Sequence, residues 1–180
     1  MMWTSSILVV VLVALVATGL AQVNTTLPVG YRKVYLTSLQ DKKFVIVPKT
    51  PVKIGTTLVV QTLNNKPEQQ WYVKDGNVTG KIQLADTTFC MDAGAQSNWK
   101  DMGAVSLQTC SETAVAQQWV VMTDGRIALQ PSPKPQQCLD LQYLRATPNN
   151  PVGLYTCAGL GNTGAADKGI NWPLLNATAT

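Results

Sequence analysis

The 180-residue sequence contains no histidine, only two glutamates and no Cys-x-x-Cys pair. Without histidine, neither a Ser/His nor a Cys/His catalytic pair can form, and a common metal ligand is missing. Charged residues make up 13% of the chain, and its formal net charge of +4 comes without a dense Lys/Arg run. These absences exclude histidine-based catalysis and argue against metal, cofactor and nucleic-acid binding.

Helical periodicity is also missing beyond the N-terminal apolar segment. Thirteen glycines and ten prolines punctuate the chain, which is typical of a protein with many turns. Short runs of β-branched and aliphatic residues lie between turn residues such as Asp75-Gly76 and Asp124-Gly125. Such runs predict strands. The sequence therefore favours an all-β fold.

The longest apolar run lies at the N-terminus. Residues 7–16 are almost wholly apolar, which suits a signal-peptide hydrophobic region and falls short of the ~20 residues of a membrane span. Gly19-Leu20-Ala21 offers a cleavage site after Ala21. An uncleaved anchor remains the alternative, because no basic residue precedes the run. We predict a signal peptide over residues 1–21, a polar leader over 22–30, secretion to the extracellular space, and no stable membrane insertion after cleavage.

Three Asn-x-Thr patterns would accept N-linked glycans in a eukaryotic secretory route. Such patterns are also common by chance. They begin at Asn24, Asn77 and Asn176.

The four cysteines predict two disulfides in an oxidising compartment. Cys90 and Cys110 are 20 residues apart, and Cys138 and Cys157 are 19 apart. Four cysteines allow three pairings, and the nearly equal separations favour the sequential one. Each closed loop would then stabilise the fold by roughly 3 kcal/mol.

Three tryptophans mark an internal repeat. Trp119 follows Trp71 by 48 residues, and Trp172 follows Trp119 by 53, a period typical of repeat architectures. Each repeat contains about four short strand-like runs, which cannot bury their apolar faces alone. We therefore predict a closed pseudo-threefold β-structure whose shared core holds the tryptophans. The expected repeats span 31–77, 78–123 and 124–175, and a tail follows over 176–180.

With these motifs in order, the chain resembles a ricin B-chain-type lectin domain. The Gln-x-Trp motif of that family stands as Gln69-Gln70-Trp71 and Gln117-Gln118-Trp119, and in degenerate form as Ile170-Asn171-Trp172. Its Cys-x-Asp motif stands as Cys90-Met91-Asp92 and Cys138-Leu139-Asp140. The resemblance implies a β-trefoil of three four-stranded repeats with pseudo-threefold symmetry.

The resemblance also implies carbohydrate-binding residues, because in this family the motif aspartate accepts sugar hydroxyls and an aromatic ring stacks on the sugar. In repeat three these residues would be Asp140 and Tyr155, with Asn150 on the preceding loop; Ile170 replaces the glutamine that usually orients the aspartate.

Repeat two keeps Asp92 and Gln117, but Gln108 stands at the aromatic position, which leaves Trp99 as either a recognition ring or a lid. Repeat one has neither cysteine. Equal spacing aligns Phe44 with Asp92, so we expect this repeat to be structural only.

The expected function is a secreted, non-enzymatic lectin that needs neither metal nor cofactor. Its partner would be a carbohydrate or a glycoprotein glycan, of galactose or xylan type. Asp92 and Asp140 belong to different repeats, which argues against the paired carboxylates of glycoside hydrolysis. The alternative is a secreted β-trefoil interaction protein, similar to a protease inhibitor, with decayed sugar sites. The two differ in whether Asp140 and Tyr155 converge on an open pocket.

Overall fold

The computed structural model describes residues 27–74 and 76–177. The predicted signal peptide and the Asn24 acceptor lie outside the described residues. Within these residues there are thirteen short strands, and no helix is long and apolar enough to span a bilayer. The strands are β1 (Arg32–Leu36), β2 (Phe44–Pro48), β3 (Leu58–Thr62), β4 (Trp71–Val73), β5 (Thr79–Gly80), β6 (Gln83–Leu84), β7 (Phe89–Asp92), β8 (Ser106–Thr109), β9 (Trp119–Val121), β10 (Ile127–Leu129), β11 (Gln137–Leu141), β12 (Val152–Thr156) and β13 (Leu174–Asn176).

The strands form three units of the same design. Strands β1 to β4 make repeat one, β5 to β9 repeat two, and β10 to β13 repeat three. In repeat two the first strand is split, since β5 pairs with β9 of its own repeat and β6 pairs with β4 of repeat one. Strand β1 makes the corresponding two pairings without a break. The predicted all-β, four-stranded repeat is confirmed.

The repeats close into a ring. The fourth strand of each repeat pairs with the first strand of the next, as in β4 with β6 and β9 with β10. The last strand, β13, returns to β1 with Leu174 opposite Leu36 and Asn176 opposite Val34. Strand β13 therefore includes Asn176, the first residue of the predicted tail.

The three repeated tryptophans lie in the shared core, as predicted. Trp71, Trp119 and Trp172 are at most 1% exposed and pack in one apolar cluster with aliphatic residues from all three repeats. Each indole N–H donates to the carbonyl of a residue in the second strand of its own repeat, so the buried polar atom is satisfied. These acceptors are Ile46 at 2.9 Å, Met91 at 3.1 Å and Leu139 at 3.0 Å.

Each disulfide joins one cysteine to the next cysteine along the chain. One links Cys90 to Cys110 and the other links Cys138 to Cys157, which confirms the predicted pairing. Each bridge ties the second strand of its repeat to the residue that follows the third strand. The disulfides therefore support the strand pairs that carry the candidate site residues.

Candidate functional site

The indole hydrogen bonds define which residues of the repeats are equivalent. Each carbonyl acceptor is followed by the candidate site position, which is Asp92 in repeat two and Asp140 in repeat three. In repeat one the same position holds Val47. The alignment of Phe44 with Asp92 by equal spacing is therefore wrong, because the segment between the site position and the tryptophan is three residues shorter in repeat one than in repeat two.

Asp140 and Tyr155 open onto one cavity of about 300 Å³. Asp140 lies near the end of β11, and Tyr155 lies on the neighbouring strand β12, opposite Cys138. Tyr155 is half-buried against a small cluster that contains the disulfide, while its neighbour Leu154 points into the main core. The ring thus faces away from the main core, as the alternation of the strand predicts.

The carboxylate of Asp140 is buried without hydrogen-bond donors from the described residues. Its residue is only 8% exposed, and no residue described by the structure donates a hydrogen bond to it. Burial raises the pKa of the Asp140 carboxyl to about 7, and the nearby Asp167 and Asp101 carboxylates add to the rise. The carboxyl lines the cavity and is about half ionised at neutral pH, so it retains acceptor capacity for a ligand.

Asp167 is held beside Asp140 by its own loop. Its carboxylate accepts the backbone N–H groups of Leu160 and Gly169, at 2.6 and 2.7 Å. The carbonyl of Gly169 in turn accepts the N–H of Leu141 at 2.8 Å. A Cβ on Gly169 would lie 2.7 Å from an Asp140 oxygen, so only glycine lets the loop approach this closely.

The rest of the cavity wall is mainly apolar and was not predicted. Met102 comes from a turn of repeat two, and Tyr143 follows Asp140 by three residues; they are 44% and 65% exposed. Tyr143 and Leu144 both adopt positive φ, which no sequence pattern indicates. Exposed apolar side chains around a few polar groups, here those of Asp140 and Tyr155, are typical of a ligand site. The full lining is Met102, Asp140, Leu141, Tyr143, Leu144, Tyr155, Leu160 and Asp167.

The equivalent carboxylate in repeat two is fully engaged. Asp92 accepts the amide N–H of Gly94 at 2.7 Å and the side-chain amide of Gln117 at 3.0 Å. Gln117 also donates to the carbonyl of Thr109 and accepts the N–H of Ser111. Gln117 is 2% exposed, so it orients Asp92 from behind.

The aromatic position of repeat two is occupied by Gln108, opposite Cys90 on β8. Trp99, the possible replacement ring, donates its indole N–H to the carbonyl of Gly94 and packs half-buried against the main core. This placement favours a role for Trp99 as a lid on the core rather than as a ring that stacks on a sugar.

Ile170 and Asn171 do not replace the missing glutamine of repeat three. Ile170 is fully buried against the Cys138–Cys157 disulfide. The side-chain amide of Asn171 donates to the carbonyls of Gly164 and Asp167. No side chain among residues 27–74 and 76–177 therefore orients Asp140 as Gln117 orients Asp92.

Asn150 is also committed elsewhere. It is 8% exposed, and its side-chain amide donates to the carbonyl of Gln142 at 2.8 Å. Its position favours a role in holding the loop before β12, while sugar contact by Asn150 stays a prediction. Of the predicted acceptor asparagines, Asn77 is exposed in a turn, and Asn176 lies exposed on β13 with its side-chain oxygen accepting from Arg32.

Comparison with known proteins matches this geometry to a family. The model of the ricin-type beta-trefoil lectin domain matches residues 32–128 and, in a second overlapping register, 78–166. The chain belongs to this family. The two registers differ by about one repeat, as expected for a ricin-type trefoil with internal symmetry. No curated protein matches the chain in sequence.

Solved structures share the fold at low sequence identity. A designed threefold-symmetric protein, ThreeFoil, has a TM-score of 0.61 and 15% identity over 82% of this chain and 99% of its own. The C-terminal half of an earthworm R-type lectin, in complex with GalNAc, has a TM-score of 0.59 and 16% identity over 81% and 98%. The β-trefoil lectin of the Vibrio vulnificus hemolysin, with N-acetyl-D-lactosamine bound, has a TM-score of 0.58 and 13% identity over 83% and 98%. Family membership and these lectin neighbours support carbohydrate binding in general.

Proposed function

We propose that this protein is a secreted, non-catalytic lectin whose principal sugar site is the cavity of Asp140 and Tyr155 in repeat three. One observation carries the proposal: an unpaired carboxylate and an outward-facing tyrosine open onto the same cavity. A decayed site would have lost this convergence. The proposal includes no catalytic step, because the chain has no histidine and the second carboxylate of the cavity, that of Asp167, is held by two backbone N–H groups instead of forming a spaced acid–base pair with Asp140.

The chemistry of the cavity suits a pyranose. An ionised Asp140 has two oxygens that can accept two neighbouring hydroxyls, and its charge strengthens each hydrogen bond. The Tyr155 ring can cover the C–H face of the sugar. No metal is required for either contact.

Galactose-type sugars are the favoured ligands. The earthworm and Vibrio neighbours were solved with GalNAc and N-acetyl-D-lactosamine. The apolar wall formed by Met102, Leu144 and Leu160 would accommodate the methyl group of an acetamido substituent. We therefore infer a preference for galactose-type sugars with an N-acetyl group over xylan-type ligands.

A second, weaker site at Asp92 completes the proposal. Both Asp92 oxygens already accept protein hydrogen bonds, and a sugar would have to share them. A single shallow site binds at a Kd on the order of millimolar. Useful avidity would then come from two sites engaging one glycan surface.

The principal site can be tested by titrating GalNAc, galactose and xylose into the wild type, Asp140→Asn and Tyr155→Ala. We expect both variants to lose at least about tenfold in affinity for GalNAc, since each removes one of the two ligand contacts. Far-UV circular dichroism of each variant controls for folding.

Asp92→Asn is the matched control, because it makes the same change at the equivalent position of repeat two. It should retain most of the GalNAc affinity. Equal binding by the wild type and Asp140→Asn would place the site elsewhere. A wild type that binds none of these sugars would instead favour a trefoil that acts through its loops.

Secretion is the remaining part of the proposal. Support comes from the apolar segment at residues 7–16, from three glycosylation patterns, and from two disulfides that use all four cysteines, since disulfides persist in oxidising compartments. Expression in a eukaryotic host, followed by N-terminal sequencing of protein from the medium, tests it. Mature protein starting at Gln22 is expected, and retention in the cell membrane would contradict it.

A further inference from the structure

Repeat one has its own cavity at the position equivalent to the Asp140 cavity. Three correspondences establish this: Val47 replaces Asp140, Gln61 replaces Tyr155, and Asn149 replaces Met102. Asn149 donates its N–H to the carbonyl of Val60 as Met102 does to Leu154, and both adopt positive φ. The cavity measures about 290 Å³, which matches the volume of the repeat-three cavity.

The charge of the groups that line this cavity is opposite to that in the Asp140 cavity. The acceptor carboxylate is absent, because Val47 is an apolar residue, 4% exposed. Lys49 and Lys66 line the cavity instead, together with one acidic residue, Glu68. Neither lysine forms an ion pair with Glu68 or with any other residue in the described part of the chain. Two exposed ammonium groups therefore remain available to a ligand at this cavity.

The positive charge of the chain is concentrated in repeat one, which carries this cavity. Residues 31–77 contain eight of the fourteen basic residues and only three of the ten acidic ones. Lys42, Lys43 and Lys53 are exposed on the same repeat. Repeat one is thus strongly basic, while the chain outside it is close to neutral. Such a field draws anions toward the cavity.

We propose that the repeat-one cavity binds an anionic substituent of a glycan, a sulfate ester or a carboxylate, through the ammonium groups of Lys49 and Lys66. A lysine ammonium has three donors and no acceptor, so it suits an anion with several oxygens. The side-chain amide of Gln61 donates to the Asn149 oxygen at 2.8 Å. This bond leaves the Asn149 amide group free to donate to the ligand.

This site is separate from the proposed lectin site, because all its lining residues but Asn149 belong to repeat one and none of them lines the Asp140 cavity. The two proposals can therefore fail independently. An Asp140→Asn background removes binding of neutral sugar at repeat three and leaves the repeat-one cavity intact. All measurements are made in that background.

The test uses three monosaccharides with the same ring: galactose 6-sulfate, galacturonic acid and galactose. Each is titrated into ¹⁵N-labelled protein while backbone amide shifts are followed. We expect at least one anionic sugar, but not galactose, to shift the amides of Lys49, Gln61, Lys66 and Asn149. The comparison of galactose 6-sulfate with galacturonic acid identifies which anion is preferred.

The double variant Lys49→Gln/Lys66→Gln should weaken anionic-sugar binding by about three- to tenfold, because exposed ion pairs contribute up to ~1 kcal/mol each. The matched control Lys100→Gln/Lys134→Gln removes the same charge from repeats two and three, and should leave the affinity nearly unchanged. Equal losses in the two double variants would overturn the proposal in favour of a diffuse basic surface. Shifts caused equally by galactose would overturn it in favour of a neutral-sugar site.

Discussion

Asp92 and Asp140 occupy equivalent positions in two repeats but have different surroundings. In repeat two a glutamine amide donates to the carboxylate, whereas in repeat three the same loop region places a second carboxylate, that of Asp167, near Asp140. Both Gln117 and Asp167 accept a backbone N–H from the loop after the second cysteine. A hydrogen bond therefore holds this loop in both repeats. Only in repeat two does the same side chain also donate a hydrogen bond to the site aspartate.

Sugar affinity should depend on pH. Burial raises the pKa of Asp140 to about 7, so the carboxyl is mostly neutral at pH 5.5 and mostly ionised at pH 8.5. The ionised form accepts charge-assisted hydrogen bonds, which are about twice as strong as neutral ones. GalNAc affinity should therefore weaken by roughly tenfold from pH 8.5 to pH 5.5.

Titrations over this pH range test the dependence and its cause. Asp101→Asn removes one of the charges that raise the Asp140 pKa, and it keeps an oxygen to accept the Thr156 N–H, so the midpoint should move to lower pH. Asp41→Asn, a similar loop residue in repeat one that accepts the Lys43 N–H, is the control. A flat profile in the wild type would show that Asp140 ionisation does not contribute to binding.

The same raised pKa affects stability. At low pH the Asp140 carboxyl is neutral in both the folded and the unfolded states. As pH rises from about 4 to 7, the unfolded state loses this proton first, and folding becomes less favourable. Relative to wild type, Asp140→Asn should gain up to about 4 kcal/mol in unfolding free energy between pH 4 and pH 8.

Urea unfolding of both proteins at pH 4 and pH 8 measures this gain. The difference between the two proteins cancels the titration of the other groups. A difference that does not change with pH would contradict the stability prediction. A gain at pH 8 together with lost sugar binding would show that the site is held at the expense of stability.

The sequence predicted some residues of the candidate site and missed others, in each case for a physical reason. Asp140 and Tyr155 were predictable because each stands two residues from a cysteine, in the positions that the family resemblance assigns to the sugar-binding aspartate and aromatic ring. Asp167 was not, because it lies in an irregular glycine-rich loop whose path depends on Gly169. Met102 was not, because it reaches the cavity from the neighbouring repeat.

Among the structural elements, the connections between the second strand and the tryptophan vary most in length between repeats. The indole donor and its carbonyl acceptor are 25, 28 and 33 residues apart in repeats one, two and three. The strands keep their pairing while these connections lengthen. The tryptophan spacing therefore predicted the number of repeats, but it could not align individual residues between repeats, as the Phe44 alignment shows.

The two disulfides offer a matched pair of tests at this scale. They close loops of 20 and 19 residues, so replacing either pair by alanines should cost about 3 kcal/mol of unfolding free energy. Their effects on GalNAc binding should differ. Tyr155 packs against the Cys138–Cys157 cluster, so removal of that bridge should weaken binding.

Cys90→Ala/Cys110→Ala is the control, since it lies in repeat two. It should lose similar stability and keep GalNAc affinity. Denaturant unfolding and sugar titration on both double variants provide the measurements. Equal losses of affinity would mean that the disulfides act on the whole fold rather than on the strand pair that carries Tyr155.

Across the whole molecule, the three repeats present three different cavities or surfaces on one scaffold. The site of repeat three is acidic with an apolar wall. The site of repeat two has a carboxylate held by Gln117 and no aromatic ring opposite its first cysteine. The site of repeat one is basic. The common core of tryptophans is insensitive to these differences because the polar and charged residues that distinguish the three sites are not part of it. Each surface could therefore diverge without loss of the fold, which is why the fold was predictable to a greater extent than the ligands.

Ring closure can be tested by ending the chain after Pro173, which removes β13 and leaves Trp172 in place. Strand β1 would lose the partner of Val34 and Leu36. Amide hydrogen exchange should then accelerate in β1 far more than in β11 and β12, because exchange protection reports local opening. The substitution Leu175→Ala, at an exposed position of β13, serves as the control. Unchanged protection in β1 would contradict the role assigned to β13.

The pairing of β13 with β1 also affects the order of events during biosynthesis. Residues 32–36 emerge from the ribosome first among the described strands, but the strand that covers one of their edges, residues 174–176, emerges after all the others. During that interval the nascent chain exposes an unpaired strand edge, which is open to association with other chains. A chaperone or a translocation channel that shields β1 until β13 has emerged would therefore favour monomer formation over aggregation.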